Sequence, residues 1–337
     1  MGILSMKTSV RFCVAGGGSW GTALAHLLAG LGYDVCLWLR DEAAAASIND
    51  MHENTRYLPG LPLHPALRAD TDPRVLGATV LVLAIPCQQL RAWLAAHQRH
   101  FCASPILINA AKGLEVGSLA TPSRIVAESL SGTPFRFAAL SGPSFAAEVL
   151  RGLPTAVVLA GREADLVRHL RELLSGPRFR CYSSADVVGV EMGGALKNVM
   201  AIAAGVCDGL HFGHNTRAAL MTRGLAEMSR IGMACGARER TFMGLSGLGD
   251  LTLTCTGDLS RNRQVGLRLG RGEALDDITA SLGMVAEGVK TTLAVHDLAQ
   301  HLGVDAPITS AMHSILFSGE QPADAVTRLM TRTLREE

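Results

Sequence analysis

Lysine is rare in this chain, and its positions are therefore informative. The 337 residues include 27 arginines but only four lysines, namely Lys7, Lys112, Lys197 and Lys290. Arginine stays protonated in proteins, whereas burial lowers the pKa of a lysine and lets it give up a proton. Lys197 lies in the apolar, glycine-rich run Gly193–Asn198. We interpret it as a proton donor to a reacting oxygen rather than as a plain surface charge.

A second pattern predicts a phosphate-binding loop near the N-terminus. The apolar run Val10–Ala15 leads into Gly16-Gly17-Gly18-Ser19-Trp20-Gly21 and then into a helical stretch, which fits G-x-G-x-x-G at Gly16, Gly18 and Gly21. In such a loop the first glycine permits a tight turn, the second lets the backbone approach a pyrophosphate, and the third lets helix and strand pack closely. Free N–H groups at the helix start then bind the phosphates of a dinucleotide.

The end of the second predicted strand bears on the choice of dinucleotide. An acidic residue there binds the ribose 2′-OH of NAD and repels a 2′-phosphate. This chain has Arg40 first and then Asp41. Arg40 favours NADP, although it also suits stacking over the adenine, and Asp41 suits the N-cap of the next helix. The prediction is NADP or NAD, with a preference for NADP.

Two further clusters predict a site for a small phosphate ester. Ser260-Arg261-Asn262 has the pattern of a helix start with Ser260 as N-cap, which offers backbone N–H groups and a guanidinium to an anion. Lys112 follows a predicted strand end, where ligands of open parallel sheets collect. Asp250 is predicted to hold a lysine ammonium in place or to bind a substrate hydroxyl.

Five motifs in order resemble the bacterial-type NAD(P)-dependent glycerol-3-phosphate dehydrogenases, over nearly the whole chain. They are the N-terminal glycine loop and the runs Ala110–Glu115, Leu140–Ala146, Gly193–Asn198 and Gly247–Leu251, the last of which continues to Ser260–Arg263. The resemblance implies interconversion of sn-glycerol 3-phosphate and dihydroxyacetone phosphate, a homodimer, and a role in supplying phospholipid synthesis.

The resemblance also implies roles for individual residues. Lys197 matches the family's proton-transfer lysine, and Lys112 matches a lysine beside both cofactor and substrate, as either a fixed charge or a second proton donor. Residues that match substrate-binding positions are Gly142, Ser144, Asp250, Ser260, Arg261 and Asn262. Residues that match cofactor positions are Gly16, Gly18, Ser19, Trp20, Gly21, Arg40, Lys112, Ala146, Arg261, Val285 and Glu287. As a matter of physical chemistry, Glu287 also suits the start of a helix.

The elements that must position these residues change in type along the chain. Short apolar runs alternate with helical stretches up to about Ala185, which predicts an α/β domain with a doubly wound, Rossmann-type parallel sheet. The predicted strands are Val10–Ala15, Asp34–Leu39, Thr79–Ile85, Ile106–Asn109, Arg136–Leu140 and Thr155–Ala160. The predicted helices between them are Trp20–Leu31, Asp41–Asp50, Leu90–His97, Pro122–Leu130 and Glu163–Leu174. Asn54–Asp72 is a long proline-rich loop with an expected function.

After Ala185 the pattern is helical throughout. The predicted helices are Val187–Gly209, Asn215–Gly236, Glu273–Leu282, Glu287–Leu302 and Ala323–Leu334. We therefore predict a dinucleotide-binding domain over residues 1–187 and an all-α substrate-binding domain over residues 188–337. The resemblance implies that the second is like the C-terminal domain of 6-phosphogluconate dehydrogenase.

Composition narrows the class of partner. The net charge is +1 and aromatic residues make up 4%, which speaks against a nucleic-acid partner. The longest apolar runs, Ala78–Ile85 and Val199–Cys207, are shorter than the ~20 residues of a membrane helix. Eight scattered cysteines without a C-x-x-C pair indicate reduced thiols and a cytoplasmic protein. His211 and His214 have no third ligand near them, so no metal site is expected.

Two other functions remain as alternatives. One is a different β-hydroxyacid-type dehydrogenase with a similar two-domain plan, against which the anion site at Ser260–Asn262 speaks. The other is a non-catalytic dinucleotide sensor, which has no use for Lys197, Asp250 and Arg261 in an ordered constellation. A turnover assay with dihydroxyacetone phosphate and NADPH or NADH separates all three.

Overall fold

The chain forms two compact units in a computed structural model that describes residues 10–282 and 287–333. The first unit runs up to Val187 apart from the segment Lys112–Thr121, and that segment belongs with Val188 and the residues after it to the second unit. The predicted domain boundary placed Lys112–Thr121 in the first domain, whereas the structure places this segment in the second unit. The physical reason is Leu114, which is fully buried in the hydrophobic core of the second unit.

The first unit is built on an eight-stranded sheet in the order β3-β2-β1-β4-β5-β6-β7-β8. Its central strands are apolar and buried on both faces, as expected for parallel strands covered by helices. The strands are β1 (Arg11–Ala15), β2 (Asp34–Trp38), β3 (Arg68–Asp70), β4 (Val80–Leu83), β5 (Ile106–Asn109), β6 (Arg136–Ser141), β7 (Thr155–Ala160) and β8 (Phe179–Ser184). The strand order reverses beside β1, where ligands of doubly wound sheets bind.

One pairing corrects the expectation of a parallel sheet. Strands β6 and β7 pair antiparallel, with Leu140 opposite Leu159, and β8 then pairs parallel to β7. Apolar runs buried on both faces do not encode strand direction, so the sequence pattern is the same in either case.

Two strands were not predicted. The three-residue β3 lies within the loop Asn54–Asp72 and is too short for a periodic signal. The edge strand β8 does carry a signal, because Phe179 and Cys181 are buried while Arg180 and Tyr182 are exposed. That alternation is typical of a strand with one solvated face.

Helices of the first unit cover the sheet close to their predicted bounds. They are α1 (Ser19–Gly30), α2 (Glu42–Met51), α3 (Cys87–His97), α4 (Pro122–Ser129), α5 (Ala146–Leu150) and α6 (Ala164–Leu174). Of these, only the short α5 has no counterpart among the predictions.

Over residues 188–282 and 287–333 the second unit contains helices joined by turns and no strand, as predicted. Its helices are α7 (Val187–Gly209), α8 (His214–Ala234), α9 (Glu239–Phe242), α10 (Asp250–Thr256), α11 (Arg261–Gly270), α12 (Leu275–Leu282), α13 (Glu287–Leu302), α14 (Pro307–Phe317) and α15 (Pro322–Met330). A π-helical turn, Leu245–Gly249, precedes α10. The helices α9, α10 and α14 were not predicted, although Pro307 at the first turn of α14 is a start signal.

Helix α7 forms the centre of the second unit. Among the described residues it alone is long and apolar enough to span a membrane by length and composition, but 94% of its apolar window is buried inside the protein. Burial on all sides explains an apolar composition around the whole helix, which is typical of a core helix.

Candidate active site

Lys197 lies on the buried helix α7 and faces the turn that leads into α10. One helical turn before it, Gly193 contacts the backbone of Ser246 so closely that an added Cβ would overlap the Ser246 carbonyl. The glycine therefore lets the turn Leu245–Gly249 pack directly on α7. This close packing brings Asp250, the first residue of α10, within reach of the lysine.

A single buried carboxylate holds both candidate lysines. Nζ of Lys197 donates to Oδ1 of Asp250 at 2.7 Å, and Nζ of Lys112 donates to Oδ2 at 2.7 Å. The side chain of Asp250 is 1% exposed, that of Lys197 is 10% exposed and that of Lys112 is 17% exposed. The structure thus brings together Lys112, Lys197 and Asp250, which the sequence named as the catalytic group.

Thr254 completes this cluster and was not predicted. Its Oγ1 accepts a hydrogen bond from Nζ of Lys197 at 2.9 Å and donates to the backbone oxygen of Asp250 at 2.6 Å. The residue lies one helical turn after Asp250, on the same face of α10. This i, i+4 spacing would have indicated it, had α10 been predicted as a helix.

Burial and the neighbouring charges shift the protonation of the pair. Burial lowers the pKa of Lys197 to about 8, opposed by the attraction of Asp250 and assisted by the repulsion of Lys112. Burial acts to raise the pKa of Asp250, but the ammonium groups of Lys112 and Lys197 outweigh it, so this pKa lies below its usual value. An ionised carboxylate beside a lysine that titrates near neutral pH is an arrangement typical of proton-transfer sites.

The predicted anion-binding residues begin helix α11 of the same unit. Oγ of Ser260 accepts the backbone N–H of Arg263 at 3.2 Å, so Ser260 is the N-cap as predicted. Arg261 is the first helical residue and its side chain is exposed. Oδ1 of Asn262 accepts the backbone N–H of Gly288 at 3.1 Å. Because Oδ1 faces Gly288, the side-chain NH₂ of Asn262 remains as its donor for an anion.

Of the two predicted cofactor residues Glu287 and Val285, the structure describes Glu287. Glu287 is the first residue of α13 and precedes Gly288, which ties the start of α13 to Asn262. Val285 lies outside the described residues.

In the first unit, the glycine loop has the backbone that its sequence predicts. Gly16 has φ +118°, and an added Cβ would lie 2.5 Å from the Ala84 carbonyl oxygen. A Cβ on Gly21 would overlap the Gly16 carbonyl, whereas the space beside Gly18 is open. The helix α1 that follows has no side-chain cap at Gly18, so no N-cap side chain accepts its first N–H groups.

Ser19 and Trp20 form the first turn of α1. Oγ of Ser19 donates to the Tyr57 carbonyl at 3.1 Å. The indole N–H of Trp20 is buried and has no hydrogen-bond partner among the described residues. Open space, uncapped helical N–H groups and an orphaned donor together fit a phosphate-containing dinucleotide.

Asn54 supports this loop and was not predicted individually. Its side chain is buried, and its Nδ2 donates to the Gly17 carbonyl at 3.0 Å and to Oγ1 of Thr22 at 2.9 Å. Its Oδ1 accepts the N–H of Tyr57 at 3.2 Å. The first residue of the loop Asn54–Asp72 therefore stabilises the glycine loop through hydrogen bonds. An asparagine at the start of an unusually long loop was the available signal.

Comparisons with known proteins agree with both halves of this description. The family model described as NAD-dependent glycerol-3-phosphate dehydrogenase N-terminus matches residues 11–167, and the corresponding C-terminus model matches residues 186–327. The chain belongs to this family.

Relatives of similar length are highly similar to the chain. A glycerol-3-phosphate dehydrogenase [NAD(P)+] of Desulfovibrio desulfuricans is 67% identical over 332 residues, covering 98% of this chain and 100% of the relative. The Nitratidesulfovibrio vulgaris Hildenborough enzyme of the same name is 59% identical over 330 residues, covering 97% and 100%. The crystal structure of glycerol-3-phosphate dehydrogenase from Coxiella burnetii has a TM-score of 0.91 at 39% identity, covering 96% of this chain and 99% of that chain.

Arg40 and Asp41, which the sequence predicts to bear on the choice of dinucleotide, follow strand β2. Asp41 caps α2, since its side chain accepts the N–H of Ala44 at 3.1 Å, as the sequence predicted. Arg40 lies just beyond β2 and is exposed. Asp41 is also paired with Arg56, at 3.2 Å.

The remaining predicted residues of the dehydrogenase follow strand β6. Gly142 has φ +136°, and an added Cβ would lie 3.0 Å from Cα of Val157. Oγ of Ser144 donates to the Gly142 carbonyl at 3.0 Å, which closes a tight turn. Ala146 then begins α5. These three residues belong to the first unit, whereas Lys112, Lys197 and Asp250 belong to the second.

The cysteines and histidines form neither a disulfide nor a metal cluster in the part of the chain that the structure describes. All eight cysteines are described, and each is a free thiol. Across residues 10–282 and 287–333, no group of three or more histidine, cysteine or acidic side chains is placed to hold a metal ion.

Proposed function

We propose that this protein interconverts sn-glycerol 3-phosphate and dihydroxyacetone phosphate with NAD(P)(H). The observation that carries the proposal is the buried cluster of Lys197, Asp250 and Thr254 in the same unit as the capped start of α11. A proton donor and an anion site within one unit suit a small carbonyl compound that bears a phosphate. Family membership supports the same reaction.

Lys197 is the proposed proton donor in the reduction direction. Its ammonium has three N–H bonds, of which Asp250 accepts one and Thr254 accepts another. The third is available to the carbonyl oxygen of the substrate. The dinucleotide, when bound by the first unit, supplies the hydride to the carbonyl carbon. Lys197 then transfers its proton to the oxygen, and in the oxidation direction the neutral amine takes that proton back.

Asp250 and Lys112 act through charge. Asp250 holds Lys197 in one position and keeps an ammonium in a buried place, where a lone charge would be costly. Lys112, on the other oxygen of the same carboxylate, adds a positive charge that stabilises negative charge developing on the substrate oxygen. Lys112 is therefore proposed as a fixed charge, with Lys197 as the acid.

The start of α11 is the proposed phosphate site. The start of α11, the guanidinium of Arg261 and the side-chain NH₂ of Asn262 are proposed to supply donors to the phosphate oxygens. Glycine-loop residues Gly16–Gly21 are proposed to bind the pyrophosphate of the dinucleotide. Arg40 is proposed to favour NADP, because a guanidinium can contact a 2′-phosphate.

Three broader features are proposed with this reaction. We propose that the enzyme is a homodimer, works in the cytoplasm and supplies glycerol 3-phosphate for phospholipid synthesis. The eight free thiols support a reducing compartment. Light scattering of the purified protein tests the dimer, and a measured monomer mass would contradict it.

A turnover assay tests the function. The purified protein is mixed with dihydroxyacetone phosphate and either NADPH or NADH, and loss of reduced dinucleotide is followed by absorbance. We expect rapid oxidation only in the presence of the phosphorylated ketone. A protein that reduces β-keto acids instead would be a different dehydrogenase, and one that binds dinucleotide without turnover would be a sensor.

A further inference from the structure

The helices α7 and α11 both carry predicted site residues, and they pack against each other at glycines. Gly205 and Gly209 on α7 face Gly266 and Gly270 on α11, and each pair is four residues apart. A Cβ added to any of the four would overlap or crowd a carbonyl of the facing helix. The carbonyls concerned belong to Arg263 and Leu267 on α11 and to Ile202 and Val206 on α7. The two backbones therefore approach more closely than side chains would allow.

This crossing also sets the direction of α11. Because Gly205 faces Arg263 and Gly209 faces Leu267, the two helices run in the same direction. The start of α11 consequently points back along α7 toward Lys197. The contacts of Gly205 and Gly266 together place Arg261 near the level of residue 200, which is three residues or roughly 5 Å along the helix axis from Lys197.

A buried ionic cluster fastens the start of α11 to α7. Asp208 of α7 accepts hydrogen bonds from Nε of Arg263 at 2.8 Å and from Nε of Arg217 at 3.0 Å. Its side chain is 7% exposed and that of Arg263 is 12% exposed. A buried carboxylate is stable only when its oxygens are paired in this way.

Arg263 is committed to this cluster and not to an anion. Its Nε and Nη2 contact Asp208, and its Nη1 donates to Asp258 at 2.8 Å. Its backbone N–H is held by the N-cap Ser260. Arg263 therefore joins the first turn of α11, where the predicted anion ligands lie, to the helix that carries Lys197.

We propose that Arg263 and Asp208 are positioning residues that set the distance between the phosphate site and the proton donor. The inference rests on the proposed function, since it deepens the account of the same site. If the distance between the phosphate site and Lys197 is fixed, the site favours ketones whose phosphate lies one carbon from the carbonyl. Longer phosphate esters then fit less well. Neither residue is proposed to touch the substrate.

Kinetic measurements with a phosphorylated and an unphosphorylated ketone test this proposal. The variants are Arg263→Gln and the conservative Arg263→Lys, and the matched control is Arg268→Gln, which removes a different ion pair from the same helix, to Glu273. Each is assayed with dihydroxyacetone phosphate and with unphosphorylated dihydroxyacetone. For Arg263→Gln we expect kcat/KM for the phosphorylated ketone to fall about 10- to 100-fold, the range for misplaced binding groups.

The unphosphorylated ketone distinguishes positioning from general damage. With dihydroxyacetone we expect kcat/KM of Arg263→Gln to differ from wild type by less than about twofold. Independent sites are additive only to within about this factor. Arg263→Lys should fall between wild type and Arg263→Gln, and Arg268→Gln should match wild type. An equal loss with both ketones would overturn the proposal, because it would show damage to the whole unit.

A binding measurement tests the proposal without relying on turnover. Inorganic phosphate should raise the thermal unfolding midpoint of the wild type and of Arg268→Gln, and this shift should shrink in Arg263→Gln and in Asp208→Asn. An undiminished shift in both would overturn the positioning role. Failure of the wild type to reduce dihydroxyacetone phosphate would instead count against the proposed function, and the phosphate shift would still report on Arg263.

Discussion

Lys197 and Asp250 form a buried ion pair, with 2.7 Å between Nζ and Oδ1. Thr254 accepts a second hydrogen bond from the same ammonium. Two of the three N–H bonds of Lys197 are thereby oriented, which directs the third. The pair explains how an apolar helix can carry a lysine whose pKa is lowered to about 8 and which nevertheless stays in one position.

Replacement of Lys197 by arginine tests its role as the acid. Lys197→Arg keeps the positive charge but removes the ability to transfer a proton near neutral pH. We expect kcat to fall about 10²- to 10⁴-fold, as for loss of a general acid. Dinucleotide binding, measured by fluorescence quenching, should survive, because the glycine loop belongs to the first unit.

Two other lysines serve as comparisons. Lys112→Arg should lose less activity if Lys112 is a fixed charge, and Lys290→Arg should match wild type because Lys290 is exposed on α13. If Lys112→Arg were inactive and Lys197→Arg active, the roles of acid and fixed charge would be reversed between the two lysines. If both retain activity, the proton comes from another group.

The lowered pKa of Lys197 predicts opposite pH profiles for the two directions. Reduction needs the ammonium, so its kcat should fall as the pH rises through about 8. Oxidation needs the neutral amine, so its kcat should rise over the same range. Initial rates at saturating substrate across this range provide the measurement. Parallel profiles in both directions would show that another group controls the proton.

Replacement of Arg261 by alanine tests the anion site. Loss of a charge-assisted hydrogen bond costs about 1.5–3 kcal/mol, so KM for dihydroxyacetone phosphate should rise about 10- to 100-fold. Inorganic phosphate should compete with substrate in wild type and much less in Arg261→Ala. Arg271→Ala, just beyond the other end of α11, is the control. A normal KM in Arg261→Ala would move the phosphate site elsewhere.

Replacement of Arg40 by aspartate tests the preference for NADP. An acidic residue there repels a 2′-phosphate, so the ratio of kcat/KM with NADPH to that with NADH should fall about tenfold or more. The control Arg11→Asp makes the same charge change at the start of β1, whereas Arg40 follows the end of β2. An unchanged ratio in Arg40→Asp would leave Arg40 as a stacking surface only.

Replacement of Asn54 by alanine tests its support of the glycine loop. The change removes the hydrogen bonds of the Asn54 side chain to the Gly17 carbonyl, to Thr22 and from the Tyr57 N–H, and should cost about 1–3 kcal/mol of stability. We also expect a higher Kd for the dinucleotide, measured by calorimetry. Asn49→Ala is a matched control, because Asn49 makes two hydrogen bonds to the Ala69 backbone, at 2.9 and 2.8 Å, away from the loop. Equal Kd values in the two variants would limit Asn54 to a structural role.

Much of the fold was predictable because its signals are local. The glycine spacing at Gly16, Gly18 and Gly21 predicted a tight turn, and the structure has positive φ at Gly16 and close backbone contact at Gly21. Asp41 and Ser260 were recognised as N-caps because capping depends on a side chain and the N–H groups within three residues of it. The order of strands and helices followed from hydrophobic periodicity.

Relationships between distant segments needed the tertiary structure. The sequence by itself determined that Lys112, Lys197 and Asp250 are unusual residues in suitable motifs, but the distance between them depends on the packing of α7 on the turn before α10. The antiparallel pairing of β7 was likewise decided by the folded chain, because burial on both faces removes any directional pattern. Thr254 and Asn54 acquire their roles only through hydrogen bonds to partners placed by folding. Such contacts depend on the whole arrangement of backbone and core, and no local pattern encodes them.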